Sequence, residues 1–308
     1  MSSNPKVAVI DIGSNSIKLI VASHGVDAPL DIEHFSILET RIGEGITGTP
    51  PRLDDIAIRK GTDAVQKLVI EAKNYSPVSI EIVATSAVRD AINRDIFIES
   101  IKGVTGISLR VLSGEEEARF IGKGIQCDPR LSHLKNFTLL DLGGGSMECV
   151  RFRAGELVSA NSLQLGSVRL SNLFQLDREK PLSPEKETEI NTHVLKSLDE
   201  AGLTNSDSPS LEAILTGGAC SVIQEYFDST DLDSETILNY KAKVNQSTRL
   251  ERIENLSIPS SRADIFPAAM TTIVATLNKL GCDKVHFSRY NLRYGIAQAA
   301  LDTVSFRT

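Results

Sequence analysis

The sequence predicts an α/β protein built from two copies of one unit, and three observations carry that expectation. Its 308 residues exceed what one hydrophobic core usually serves, so two domains are the natural division. The first part of the chain reads as three strands followed by alternating helices and strands, the order of an α/β fold. A motif near the start also returns further along at a constant offset of 130 residues.

Taken in order, residues 6–12, "KVAVIDI", and 17–23, "IKLIVAS", are apolar runs of strand length around the polar turn "GSNS". A third strand is expected at 34–40. The next stretch, "LDDIAIRKGTDAVQKLVIEAKNY", sets apolar or small residues at 57, 61, 64, 68 and 72, which line one face of a helix. "SIEIVAT" (79–85) returns to strand, and "VATSAVRDAINR" (83–94) leaves it through a short polar turn into a helix. "ISLRVLS" (107–113) is the next strand. In "LSGEEEARFIGKGI" (112–125), Ser113 and Glu116 have the spacing of a capping box at a helix start. The loop chemistry of "CDPRLSHLKN" places the domain boundary near 125–136, giving domains 1–126 and 127–308. A last helix at about 292–304 is read as able to pack back on the first domain. Beyond the boundary, "ECVRFRAGELVSANSL" reads strand, turn, strand around Ala154-Gly155-Glu156. Helical material dominates from about 167 to 201, and the polar linker "GLTNSDSPS" (202–210) precedes the strand "LEAILT".

Composition excludes several functions. A net charge of −7 and a pI near 5.4 argue against binding a nucleic-acid polymer or a membrane surface. The four cysteines show no C-x-x-C spacing and the five histidines no H-x-x-x-H pair, so neither a zinc site nor a disulfide framework is expected. "MSSNPKVAVID" lacks the basic and apolar regions of a leader, and no uncharged apolar stretch reaches membrane-spanning length. A soluble, cytoplasmic protein is the expectation.

The repeat aligns 9–18, "VIDIGSNSIK", with 139–148, "LLDLGGGSME": apolar, apolar, Asp, apolar, Gly, two turn residues, Ser. A turn nearly free of side chains lets backbone N–H groups converge on an anion, most often phosphate. This makes Gly13, Ser14, Asn15, Ser16 and Gly143, Gly144, Gly145, Ser146 candidate phosphate-binding residues. Asp11 and Asp141, at the ends of the leading strands, can hold a divalent cation of the oxygen-seeking kind. The plainer alternative is two ordinary hairpins whose aspartates fix turn geometry. Either copy alone favours that alternative; the pair, in the same Asp-x-Gly-x-x-Ser order, favours phosphate.

Other candidates are weighed the same way. Glu148 shares a strand face with Ser146. Beside a phosphate it makes sense with a water or metal between them; otherwise it is an exposed strand glutamate. Among the acids opening the 112–125 helix, Glu115 pairs with Arg119 at i,i+4 and Glu116 closes the cap. Glu117 lies four before Ile121 on the packing or cleft side and is a candidate general base. Arg89 and Arg94 are cations suited to a polyanion, though surface arginines are common. The glycines of "LTGGACS" (215–221) mark a third phosphate or nucleotide contact, or only a turn.

Seven motifs in order carry a family resemblance: "DIGSNSIKLIV", "ATSAVRDAIN", "SGEEEARFIG", "LDLGGGSMECV", "LGSVRL", "SRADI" and "SRYNLRYG". Together they resemble the exopolyphosphatase/guanosine pentaphosphate phosphohydrolase family of the actin, sugar-kinase and chaperone-ATPase superfamily. The resemblance implies two actin-like (ribonuclease H-like) domains flanking a cleft, with duplicated hairpin phosphate loops. It also implies Mg²⁺-dependent (alternatively Mn²⁺-dependent) release of the terminal phosphate of inorganic polyphosphate or of the 5′ phosphate of guanosine pentaphosphate. By position it places the catalytic glutamate on Glu117, the second carboxylate on Glu148 and the motif arginine on Arg89. The metal-associated aspartates fall on Asp11 and Asp141, and a homodimer is implied by the family alone. Met147, Ala219 and Asn291 depart from the family pattern. The chain ends soon after "SRYNLRYG", as in the family's short, two-domain form. The rival expectations are a kinase or ATPase of the same superfamily, and a sensor that binds polyphosphate or alarmone without turnover.

Overall fold

The computed structural model describes residues 4–26, 28–44, 46, 50–204 and 212–305. They fall into two compact units, one within 1–133 and 290–308 and one spanning 134–289. In the first, β1 (Lys6–Ile12), β2 (Ser16–His24) and β3 (Leu30–Glu39) form an antiparallel meander. They are followed by α1 (Asp55–Lys73), β4 (Ser79–Ala84), α2 (Ser86–Asp90), α3 (Arg94–Thr105), β5 (Leu109–Val111) and α4 (Gly114–Gln126). The sheet order is β3-β2-β1-β4-β5, with β4 parallel to β1 and β5 parallel to β4. β3 begins at Leu30, earlier than its apolar run suggests, because a bulge at Val21/Ala22 lets its pairing with β2 continue to His24. β5 is shorter than expected: Thr105 Oγ1 takes the Ile107 N–H at 3.1 Å and keeps that residue out of the ladder.

The second unit holds β6 (Phe137–Leu142), β7 (Met147–Arg153), β8 (Glu156–Leu163), α5 (Ser167–Leu173), α6 (Pro184–Glu200) and β9 (Glu212–Thr216). It continues through α7 (Gly218–Phe227), β10 (Asp231–Asp233), α8 (Ser234–Gln246), α9 (Arg249–Glu254), α10 (Phe266–Leu280) and β11 (Lys284–Phe287). Its sheet order is β10-β11-β9-β6-β7-β8. Without the edge strand β10 this is the first sheet again: a three-stranded antiparallel meander, then β9 parallel to β6 and β11 parallel to β9. Each sheet thus has the actin-like order and sense, and the duplicated motif occupies the same corner of each. α10 is apolar along most of its length and is the buried centre of the second unit's core.

α11 (Leu292–Ser305) packs on α4, β1 and β2. The first unit runs to His133 rather than to 126, because the 3-10 turn Pro129–Leu131 packs against α4 and buries Leu131. Part of the 202–210 linker lies outside the described residues. No helix among the described residues is long and apolar enough to cross a membrane.

Candidate active site

The two hairpins share one register. Asp11 pairs with Lys18 across β1–β2, and Gly13 N–H donates to Ser16 O at 3.1 Å. Asp141 pairs with Glu148 across β6–β7, and Gly143 N–H donates to Ser146 O at 3.0 Å. None of Gly13, Gly143, Gly144 and Gly145 has a left-handed backbone, so their φ angles do not demand glycine. What shapes the loops is a clamp on their carbonyls. At the start of α5, Ser167 N–H donates to Gly143 O at 3.1 Å, and Val168 and Arg169 N–H donate to Gly144 O at 2.9 and 3.0 Å. Arg169 Nε adds a bond to Gly145 O at 2.7 Å. In the first unit Gly43 N–H donates to Ser14 O at 2.8 Å, and Thr40 and Arg41 N–H donate to Asn15 O at 3.2 and 2.9 Å.

In a trans peptide each N–H points opposite to the preceding carbonyl. Holding these carbonyls therefore turns the amides of Asn15 and Ser16, and of Gly144, Gly145 and Ser146, away from the clamp. Such an array is what a phosphate oxygen accepts from. The clamp needs its own glycines. A Cβ on Gly166 would lie 2.3 Å from the Gly145 carbonyl carbon, and one on Gly43 would lie 2.7 Å from Ser14 Cβ.

The hairpin geometry repeats, while the residues paired across the strands from the two aspartates differ. In the first unit Asp11 is buried and faces cations: Lys18 is its cross-strand partner, and Arg293 Nη1 donates to its Oδ2 at 3.2 Å. Its Oδ1 is buried with no hydrogen-bond partner among the described residues. In the second unit Asp141 lies opposite another carboxylate, Glu148, on the same strand face. Glu148 is 2% exposed and accepts from Ser162 Oγ at 2.7 Å, Ser162 being its partner on β8. Like charges directly opposite repel across a pair about 5 Å apart, so this corner favours a cation. Among the described residues no three acid, His or Cys side chains gather into a metal cage. A Mg²⁺ there would complete its shell with water and phosphate oxygens, the usual manner of that ion.

Glu117 sits in the first turn of α4. Ser113 caps this helix: Glu116 N–H donates to Ser113 Oγ at 3.2 Å, and Glu116 Oε2 accepts the Ser113 N–H at 2.9 Å. The Ser113 N–H bond to the carboxylate, with the Arg110 guanidinium, holds Glu116 well below the usual carboxylate range, to about 2. Glu115 pairs with Arg119 at 2.8 Å in solvent. Of the three acids only Glu117 is buried, and Arg89 Nη1 donates to its Oε2 at 2.7 Å. Arg89 also reaches Leu112 O, at 3.3 Å, and its Nη2 is buried with no partner among the described residues. Arg94 is exposed and donates to Arg89 O at 3.1 Å.

The third glycine turn is a tight corner. Gly217 has φ +96°, and a Cβ there would lie 2.5 Å from Asp141 Oδ1. The Arg262 guanidinium covers Gly218, where a Cβ would lie 2.0 Å from Nη1. Met147 turns into the core, with Thr276 Oγ1 donating to its Sδ at 3.8 Å, and leaves the loop edge alone. Sequence reasoning missed Gly43, Gly166, Arg169, Ser162 and Arg293. Extending the repeat past its third strand, to the Ile-Gly and Leu-Gly pairs at 42–43 and 165–166, would have found the two clamps.

A duplicated sheet of actin-like order with a carbonyl-clamped hairpin in each half defines an α/β protein of the actin-like fold. The profile of the Ppx/GppA phosphatase family matches residues 19–304. The chain belongs to that family. It is 26% identical to a guanosine-5′-triphosphate,3′-diphosphate pyrophosphatase of Vibrio atlanticus over 97% of this chain, and it spans 60% of that relative's length. Its fold matches an exopolyphosphatase from Cytophaga hutchinsonii with a TM-score of 0.86 at 21% identity, covering 97% of this chain and 98% of the other. It also matches the Ppx/GppA family member of Aquifex aeolicus with a TM-score of 0.79 at 22% identity, covering 99% of each.

Proposed function

We propose that the chain is a Mg²⁺-dependent exophosphatase that releases the terminal phosphate of inorganic polyphosphate or the 5′ phosphate of guanosine pentaphosphate. The observation that carries this reading is the clamped hairpin Gly143–Ser146, whose amides are turned outward beside the Asp141/Glu148 pair. Phosphoryl transfer asks a protein for positioning and for charge stabilisation more than for covalent chemistry. Backbone amides with their carbonyls already held supply fixed donors to the equatorial oxygens at no reorganisation cost. Asp141 and Glu148 would hold the Mg²⁺, which when bound neutralises phosphate charge, and Asp11 Oδ1 remains as a further acceptor for a water or a substrate-borne cation.

Glu117 is the residue we assign to orient water and take its proton. It is buried, carries a strong bond from Arg89, and has not been spent on the helix cap. Arg89 fixes the carboxylate and keeps its Nη2 as a spare donor for a phosphate oxygen. Ser162 holds Glu148 in place. This division also explains how an acidic protein takes a polyanion: the donors are backbone amides and a few buried guanidinium groups, not net charge. The test is phosphate release in Mg²⁺ and in EDTA from short polyphosphate, long polyphosphate, guanosine pentaphosphate and ATP with sugar acceptors. Release from one of the first three in Mg²⁺ alone supports the reading. Transfer from ATP without release would point to a kinase, and binding without release to a sensor.

A further inference from the structure

The first unit is closed by a helix from the far end of the chain. α11 meets α4 backbone to backbone: a Cβ on Gly124 would lie 2.1 Å from Asn291 O, and one on Gly295 would lie 1.9 Å from Phe120 O. Such contact leaves no slack at the crossing, since neither position admits a methyl group. α4 is the helix that carries Glu117. Between those two contacts α11 presents Arg293, whose side chain is 5% exposed and whose Nη1 donates to Asp11 Oδ2. Its Nε is buried with no partner among the described residues, and its guanidinium carbon lies 5.7 Å from the Phe35 ring centre.

We propose that Arg293 is a positioning residue for the first hairpin, holding Asp11 in place of a metal ion and tying that hairpin to the helix that carries Glu117. A buried carboxylate without a counter-charge is strongly unfavourable. Asp11 is such a buried carboxylate, and the Arg293 guanidinium supplies a counter-charge from within the first unit. A single-donor contact at 3.2 Å fixes one oxygen and leaves Oδ1 unspent. The inference rests on the function proposed above for the meaning of the hairpin, but its test does not.

The test uses the full chain with Arg293→Gln, Arg293→Lys and the double variant Asp11→Asn/Arg293→Gln, and reads the thermal midpoint in Mg²⁺ and in EDTA. Arg293→Gln removes the donor to Asp11 Oδ2 and leaves Lys18 as the facing cation, so its midpoint should fall in EDTA and recover in Mg²⁺ by more than the wild type gains. Adding Asp11→Asn should restore the EDTA midpoint and abolish the extra Mg²⁺ response. If Arg293→Gln does not fold, a folded double variant supports the pairing equally well. In phosphate release Arg293→Gln should lose roughly 10–100-fold in kcat, and Arg293→Lys should recover most of it. A midpoint loss that Asp11→Asn does not relieve, a double variant that fails to fold, or a Mg²⁺ response equal to the wild type's overturns the proposal. The midpoints need no substrate, so a chain without phosphatase activity would refute the proposed function and leave the Asp11–Arg293 result standing.

Discussion

Replacing Gly166 by alanine tests whether α5 shapes the second phosphate loop. The new Cβ would lie 2.3–2.4 Å from backbone atoms of Gly144 and Gly145, none of them the mobile end of a side chain. Either the loop or the start of α5 must move. The shift strains four hydrogen bonds, from Ser167, Val168 and Arg169 N–H and from Arg169 Nε. Each is worth about 1 kcal/mol net, and overpacking adds about 1–3 kcal/mol. With partial relaxation the cost should be about 2–5 kcal/mol, or a thermal midpoint lowered by roughly 5–15 °C. The outward amides lose their aim, so KM for the phosphate substrate should rise as well. Gly103→Ala is the control: it lies on α3, and its Cβ would meet nothing within 4 Å. It should be neutral or stabilising by about 0.5–1 kcal/mol. Thermal unfolding and phosphate-release kinetics on both variants decide the matter. A Gly166→Ala protein within about 0.5 kcal/mol of wild type, with unchanged KM, would refute the clamp.

Further expectations concern the carboxylates and the thiols. Glu116→Ala should cost up to about 1 kcal/mol at neutral pH, discounted for the exposure of its Arg110 partner. Glu116 titrates at about 2 in the folded protein against an ordinary 4.5, so its contribution is full above 4.5 and fades as pH falls toward 2. The stability gap between wild type and variant, followed by denaturant unfolding, should close over that window. Ser162→Ala removes the donor that holds Glu148 and should lower kcat about tenfold, with Ser162→Thr largely restoring it; unchanged kcat would remove Ser162 from the site. All four cysteines are free and buried, and burial raises Cys127 to about 11 and Cys149 and Cys282 to about 12. A thiol reagent in mildly alkaline buffer should therefore find none of them in the folded chain and all four after denaturation.

What was legible in the sequence was local. The capping box at Ser113/Glu116 and the Glu115–Arg119 pair follow from spacings of three and four residues on one helix, and both form as expected. The hairpins were legible because strand, turn and strand are contiguous, and doubly so because the motif recurs. The reason for the glycines was only half visible. Bare amides were expected from composition, but the force that aims them comes from Gly43 and Gly166, which lie beyond the third strand of each meander and act by close approach. Ser162 became visible only once the β7–β8 register was known. Arg293 meets Asp11 across 282 positions of sequence, a contact no periodicity encodes. Arg89 was expected as a phosphate ligand, and the structure adds its pairing with Glu117, which links the two candidates into one unit.

The most direct measurement of the central claim compares Glu117→Gln with the wild type for both turnover and substrate binding in Mg²⁺. The amide keeps the shape and an acceptor for Arg89 but cannot take a proton from water, so phosphate release should fall by roughly 10²–10⁴-fold while substrate affinity stays within a few-fold of wild type. Release at the wild-type rate from the Gln variant would contradict the account.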